Sequence, residues 1–158
     1  MTRNKQNRKH AFSLLEVIIV VAIIAILAAI GIPRMSRGAK GANDSAVSGN
    51  LAVLRSAIDL FAAEHGGSYP TVGSITNQLT QYTDFAGTTS ATKTTTCIYG
   101  PYIRSIPPLS VGAKKGNTSI AAADANDVGW IYDASSGTIK SNTTASEKDD
   151  AGKAYNAY

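Results

Sequence analysis

The chain has few of the residues from which catalytic and metal sites are built. Its 158 residues include one cysteine, Cys97, and two histidines, His10 and His65. Neither histidine has companions at the spacing of a metal or nucleophile site, and no glycine-rich phosphate loop or nucleophile elbow occurs. The sequence therefore predicts a protein that is not an enzyme and has no cofactor. Because one cysteine cannot close an internal disulfide, Cys97 is predicted to be a small, partly buried thiol, with pairing between chains as the alternative.

The chain also lacks a basic surface for nucleic acid, although its formal net charge is +4. Four of the 15 basic residues precede residue 10, namely Arg3, Lys5, Arg8 and Lys9, so the remaining 11 face 11 acidic residues. A neutral chain downstream of this cluster does not indicate a nucleic-acid partner. The cluster itself is typical of a signal that retains the N-terminus in the cytoplasm.

One long apolar run dominates the N-terminal part of the chain. Phe12 to Ile32 is a stretch of 21 residues whose one charged member is Glu16. As a helix it would measure about 31 Å, close to the hydrocarbon thickness of a bilayer. A carboxylate costs about 2.5–3.5 kcal/mol at the bilayer centre and less near the interface, so Glu16 needs a partner or a shallow position. The run predicts a single membrane-spanning segment.

Beyond a polar stretch at residues 34–45, a second apolar pattern begins. Its members recur at spacings of 4, 3, 4 and 3, which predicts one face of an amphipathic helix: Val47, Leu51, Leu54, Ile58 and Phe61. His65-Gly66-Gly67 is a typical helix end. We therefore predict one long helix from about Phe12 to His65, kinked near Gly31 to Pro33, since proline disrupts helix geometry.

The rest of the chain predicts short elements around this helix. Residues 71–82 favour a short helix, 87–96 a loop that enters a strand, and the proline-rich 97–109 a packed irregular segment. Residues 111–127 have the composition of a surface loop and 142–158 that of a loosely held tail. Runs at 128–132 and 138–141 predict a β-hairpin whose side chains pack on the helix stripe: Trp130, Tyr132 and Ile139. The fold class is α+β, with a small antiparallel sheet.

Ala11, Phe12, Glu16 and Pro33, with the basic residues before them and the apolar run, resemble the prepilin signature of the type IV filament superfamily. The resemblance implies a type IV pilin-like fold divided into a leader (1–11), a transmembrane and assembly half-helix (12–32) and a periplasmic globular part (33–158). It implies that a prepilin peptidase cuts between Ala11 and Phe12 and methylates the new amino group of Phe12. It also implies that Glu16 and Pro33 serve assembly, Glu16 being neutralised by the amino terminus of a neighbouring subunit.

Two further segments, His65 to Pro70 and Gly100 to Pro107, are similar to those of the major pseudopilins of type II secretion. The similarity implies a single-pass subunit of the bacterial inner membrane, with its N-terminus cytoplasmic and its C-terminal domain periplasmic. Its partners would be further copies of itself, minor pseudopilins, the prepilin peptidase and the inner-membrane assembly platform. The alternatives are a pilin of a type IV or DNA-uptake pilus and an unprocessed single-span protein with a small binding or enzymatic head.

Those pseudopilins bind calcium through a C-terminal acidic loop, which makes Asp149 and Asp150 weak calcium candidates by resemblance. Further carboxylates that could contribute are Asp124, Asp127 and Asp133. Calcium requires about 6–8 oxygen ligands. Since the spacing here does not reproduce the pseudopilin loop, a solvated tail without metal is the favoured interpretation.

Overall fold

The computed structural model describes residues 13–158, except for the side chains of residues 31–37. The leader, the Ala11–Phe12 junction, the side chain of Pro33 and the expected assembly role of Pro33 therefore lie outside the described residues. The chain divides into two compact units, one before Lys40 and one from Lys40 to Tyr158, which we call the head. Each unit is described by itself.

Helix α1 runs from Leu14 to Glu64. In the first unit, the side chains of residues 13–30 are all exposed, including large apolar ones such as Leu14 and Leu27. Among the described residues, Gly38–Glu64 is the helical segment that is long and apolar enough to cross a membrane, with a mean hydropathy of 1.3, and Leu14–Ile30 is a shorter apolar segment. Length and composition alone do not distinguish a membrane-spanning helix from the core helix of a folded domain. The burial of the side chains does.

In the head, α1 carries the core. The five members of the predicted stripe are between 0% and 2% exposed: Val47, Leu51, Leu54, Ile58 and Phe61. The part of α1 from Lys40 to Glu64 is therefore the core helix of the head. The predicted helix end is confirmed, because α1 stops at Glu64 and the Gly67 N–H donates to the Ala62 oxygen at 2.8 Å. Gly66 has a φ of 64°, a left-handed conformation that glycine adopts without strain.

The predicted short helix is α2, Ile75–Thr80, whose Ile75 and Leu79 are buried in the core. Two short antiparallel strands follow, β1 at Tyr82–Thr83 and β2 at Thr89–Ser90. The irregular segment 97–109 packs on the core through Ile106 and Leu109, as its composition predicts.

The second sheet has the order β3–β4–β5. Strands β4 (Val128–Asp133) and β5 (Thr138–Ser141) form the predicted antiparallel hairpin, with Tyr132 opposite Ile139. Trp130 and Tyr132 are fully buried against the helix stripe and Ile139 nearly so, which confirms their predicted role. The α+β class is confirmed.

The prediction that residues 111–127 form only a surface loop is wrong. They contain β3, Ser119–Ala121, which pairs in parallel with β4, and Val111 is 7% exposed. A strand of three residues shows no alternation that a sequence pattern can detect. Its existence depends on hydrogen bonds to β4, which the composition of residues 111–127 does not reveal.

The prediction of a loosely held tail after Asn142 is also wrong. Tyr155, the first residue of a short 3₁₀ helix at Tyr155–Ala157, is 4% exposed, and its hydroxyl donates to a carboxylate oxygen of Asp44 on α1. Arg55 Nη2 donates to the Tyr158 backbone oxygen at 2.6 Å. Two tyrosines and a few hydrogen bonds to α1 hold the segment in place. Because the rest of the segment is polar, its composition did not indicate these contacts.

Candidate functional site

Glu16 lies in the first turn of α1, where its N–H donates to the Ser13 oxygen at 3.1 Å. Its side chain is exposed among exposed apolar neighbours such as Leu15, Val17 and Ile19. A carboxylate in the first turn is favoured by the partial positive charge at a helix N-terminus. The geometry leaves Glu16 accessible to a cation of another molecule, and its pairing with the Phe12 amino group of a second copy stays a prediction.

The face of α1 that points away from the head's core is uncharged. Its members follow spacings of 4, 3, 4, 3, 4 and 3: Ala42, Ala46, Gly49, Val53, Ser56, Leu60 and Ala63. We call these seven residues the outer face. Val53 is 50% exposed and Leu60 is 52% exposed. A Cβ added at Gly49 would meet nothing within 4 Å, so the backbone there is open to close approach.

Four charged side chains of α1 in the head have partners elsewhere in the head, and Asp59 is exposed outside the outer face. Lys40 pairs with Asp150, Asp44 with the Tyr155 hydroxyl, and Glu64 accepts a hydrogen bond from the Tyr102 hydroxyl at 2.6 Å. Arg55 also donates to the Ile139 oxygen at 3.3 Å. What remains is a stripe of small and apolar residues, a pattern that permits close helix–helix packing. The helical spacing of this second stripe is visible in the sequence. Its small residues, however, do not indicate whether the stripe is a surface that packs against another helix.

Asp149 and Asp150, the calcium candidates implied by resemblance, already receive donors from the chain. Asp149 Oδ1 accepts the Lys153 N–H at 2.8 Å, and its other oxygen accepts the Tyr158 hydroxyl. The Tyr158 hydroxyl lowers the pKa of Asp149, and Asp149 in turn raises the pKa of Tyr158 to about 12. Asp150 Oδ1 lies 2.7 Å from the Lys40 ammonium, and that contact raises the pKa of Lys40.

Two of the other candidate carboxylates are engaged in the same way. Asp124 Oδ1 accepts the Lys114 ammonium and, at 2.9 Å, the Asn142 side-chain amide. Asp133 accepts the hydroxyl of Ser135 at 2.6 Å and that of Ser136 at 2.9 Å, and these bonds lower its pKa. In residues 13–158, no three His, Cys, Asp or Glu side chains converge as metal ligands. With about 6–8 oxygens required, this donor set does not fit calcium.

His65 and Cys97 occupy structural positions. His65 is 3% exposed and stacks on Phe61, with ring centroids 3.7 Å apart. Its ring nitrogens lie 2.7 Å from the Phe61 oxygen and 2.9 Å from the Asp84 oxygen, so the imidazole links the end of α1 to the strand region. The Thr83 hydroxyl lies 3.1 Å from the Nε2 atom of His65 as well. Sequence patterns did not reveal this link, because two of its partners are backbone oxygens and the third is an ordinary threonine. Cys97 is a free thiol and is 7% exposed, so it is more deeply buried than the partly buried thiol that we predicted.

Together, an exposed apolar helix at the N-terminus and a small α+β head built on the helix's continuation define a pilin-like architecture. Residues 6–32 match the family model of the prokaryotic N-terminal methylation motif, which includes Ala11, Phe12 and Glu16. No curated protein and no solved structure matches the chain. The motif supports the resemblance to type IV pilin-like prepilins in its coarse form: a structural subunit, suited to membrane anchoring, that a prepilin peptidase processes for assembly into filaments.

Proposed function

We propose that the protein is a pseudopilin of a type II secretion system. After cleavage between Ala11 and Phe12, the subunit is held in the bacterial inner membrane by residues 12–32, with its head in the periplasm. It polymerises with further copies and with minor pseudopilins on the inner-membrane assembly platform, and growth of the filament drives folded proteins outward. The observation that carries this proposal is an exposed apolar helix bearing a methylation motif at residues 6–32.

Two surfaces of α1 support polymerisation. The apolar side chains of residues 14–30 are exposed in the isolated chain and gain from burial against lipid or other helices. The outer face of the head presents no charge that a neighbouring helix would have to desolvate. A contact between different faces of two copies extends into an open filament when the rotation between the copies does not close a ring.

The pseudopilin assignment, rather than a pilus assignment, rests on the region around the end of α1. His65 to Pro70 forms the helix cap, and the Tyr132 hydroxyl donates to the Pro70 oxygen at 2.9 Å. Gly100 to Pro107 supplies Tyr102, which bonds Glu64, and the Pro107 oxygen, which accepts the Trp130 indole N–H at 2.9 Å. The segments that resemble secretion pseudopilins therefore build one side of the head. A pilin of a surface or DNA-uptake pilus shares the methylation motif and is the alternative.

Intact mass and N-terminal sequencing of protein purified from its native membrane test the proposed route. We expect a mature chain that begins at Phe12 with a methylated amino group. A chain that still carries residues 3–11 would contradict processing and would favour a plain single-span anchor.

Shearing of cells separates the two filament types once processing is established. A pseudopilus remains with the cell envelope, so we expect the protein to stay with the cells at native expression. Release of the protein in long surface fibres would overturn the pseudopilin assignment and leave the pilus alternative.

A further inference from the structure

We propose that the Lys114 ammonium is the counter-ion of the β3–β4 loop, residues 122–127, and that the head therefore needs no divalent cation. This inference goes beyond the filament proposal and does not depend on it. It departs from the calcium site that resemblance to secretion pseudopilins implies.

The first observation is the contrast in exposure between the two partners of the ion pair. The side chain of Lys114 is 19% exposed, whereas that of Asp124 is 73% exposed. Lysine is rarely buried without a partner, because an ammonium loses hydration when it leaves water. Lys114 thus reaches from its own loop to the carboxylate of the neighbouring loop, and the carboxylate compensates for its burial.

The second observation is that Asn142 completes the same cluster. Asn142 is 6% exposed, and its amide Nδ2 donates to Asp124 Oδ1 at 2.9 Å and to the Val128 oxygen at 2.8 Å. The loop is also held by Asn117, whose Nδ2 donates to the Asn126 oxygen at 2.8 Å. All of these donors are N–H groups of the chain.

A divalent cation at Asp124 would compete directly with this arrangement. Calcium needs oxygen ligands, but Asp124 Oδ1 already accepts an ammonium and an amide N–H. A second positive charge beside the Lys114 ammonium would be repelled. Asp150 repeats the pattern, because the Lys40 ammonium lies 2.7 Å from it.

The test compares thermal unfolding of the full chain in detergent with excess calcium chloride, with a calcium chelator, and with magnesium chloride. We expect the same midpoint in all three. We expect Lys114→Met, which keeps the length of the side chain without its charge, to lower the midpoint by about 2–4 °C. Lys115→Met is the matched control, since Lys115 is exposed, and it should leave the midpoint unchanged.

Hydrogen exchange localises the effect. In Lys114→Met, amides of residues 122–128 should exchange faster, while Lys114→Arg, which keeps a cation, should protect them largely as the wild type does. A calcium-dependent rise in the wild-type midpoint would overturn the inference, and so would equal behaviour of Lys114→Met and Lys115→Met. If Lys114→Met fails to fold, the comparison of wild-type unfolding midpoints with calcium and with chelator still tests whether the head needs a divalent cation.

Discussion

Glu16 is the one carboxylate within the apolar segment of α1, and its exposed side chain faces no cation among the residues that the structure describes. Burial of a carboxylate in lipid or in a filament core is unfavourable unless a cation accompanies it. The amino group of a processed Phe12 is such a cation, because methylation preserves its charge. In the proposed filament, Glu16 therefore sets the register between subunits.

Replacement of Glu16 by leucine should leave the head folded but impair assembly. Removal of one partner from a buried ion pair costs about 3–5 kcal/mol, so we expect subunit addition to weaken by about two orders of magnitude or more. Crosslinking of membrane-embedded subunits measures this effect. Glu16→Asp keeps the charge and should retain much of the assembly, whereas wild-type assembly by Glu16→Leu would show that Glu16 has no pairing role.

At the scale of elements, Glu147 joins two loops of the head. Its carboxylate accepts the Ala113 N–H at 2.6 Å and the Thr144 N–H at 2.7 Å. These bonds favour the charged form, with the Thr144 N–H as the leading cause, and they lower the pKa of Glu147 below its usual 4.5. Adjacent packing is tight, because a Cβ on Gly112 would lie 2.7 Å from a Glu147 oxygen.

The depressed pKa of Glu147 predicts a loss of stability in acid. A group whose pKa is lower in the folded state stabilises the fold above its unfolded pKa, and this contribution disappears as the pH falls through the folded pKa. The unfolding midpoint should therefore drop more steeply below about pH 4.5 in the wild type than in Glu147→Gln. Parallel pH profiles for the two proteins would contradict the role of the Glu147 carboxylate, and Glu64→Gln is a control at a group bonded elsewhere.

Elements also show which features a sequence can predict. The helix stripe, the Gly66–Gly67 cap and the β4–β5 hairpin were predicted correctly, because each depends on residues that are close in the chain. Strand β3 and the docked C-terminal segment were not. Strand β3 has three residues, too few for a pattern, and exists through its hydrogen bonds to β4, whereas the C-terminal segment is held by contacts with α1, which is distant in the chain. The Lys114–Asp124 pair could not be predicted from the sequence either, because the composition of a loop does not show which lysine contacts which carboxylate.

At the scale of the whole molecule, the outer face of α1 in the head is the surface that a neighbouring helix would cover. Val53→Glu should reduce assembly strongly, since a buried unpaired carboxylate is costly. The midpoint of unfolding should change little, because Val53 is 50% exposed in the free head. Crosslinking and thermal unfolding of the same preparation measure both quantities.

Ala91→Glu is the matched control for Val53→Glu, since it places the same charge at an exposed position outside α1. It should leave both assembly and stability unchanged. Unimpaired assembly of Val53→Glu would exclude the outer face from subunit contacts without affecting the case for processing at Ala11–Phe12.

The sequence by itself determined the apolar segment, the prepilin-type motif, the core stripe of α1 and the hairpin that covers it, because these depend on local composition, spacing and periodicity. The tertiary structure alone decided that β3 pairs in parallel with β4, that Tyr155 fastens the C-terminal segment to Asp44, and that lysines neutralise Asp124 and Asp150. The physical reason is that hydrogen bonds and ion pairs between separate segments depend on the three-dimensional positions of their partners, which composition and periodicity do not encode.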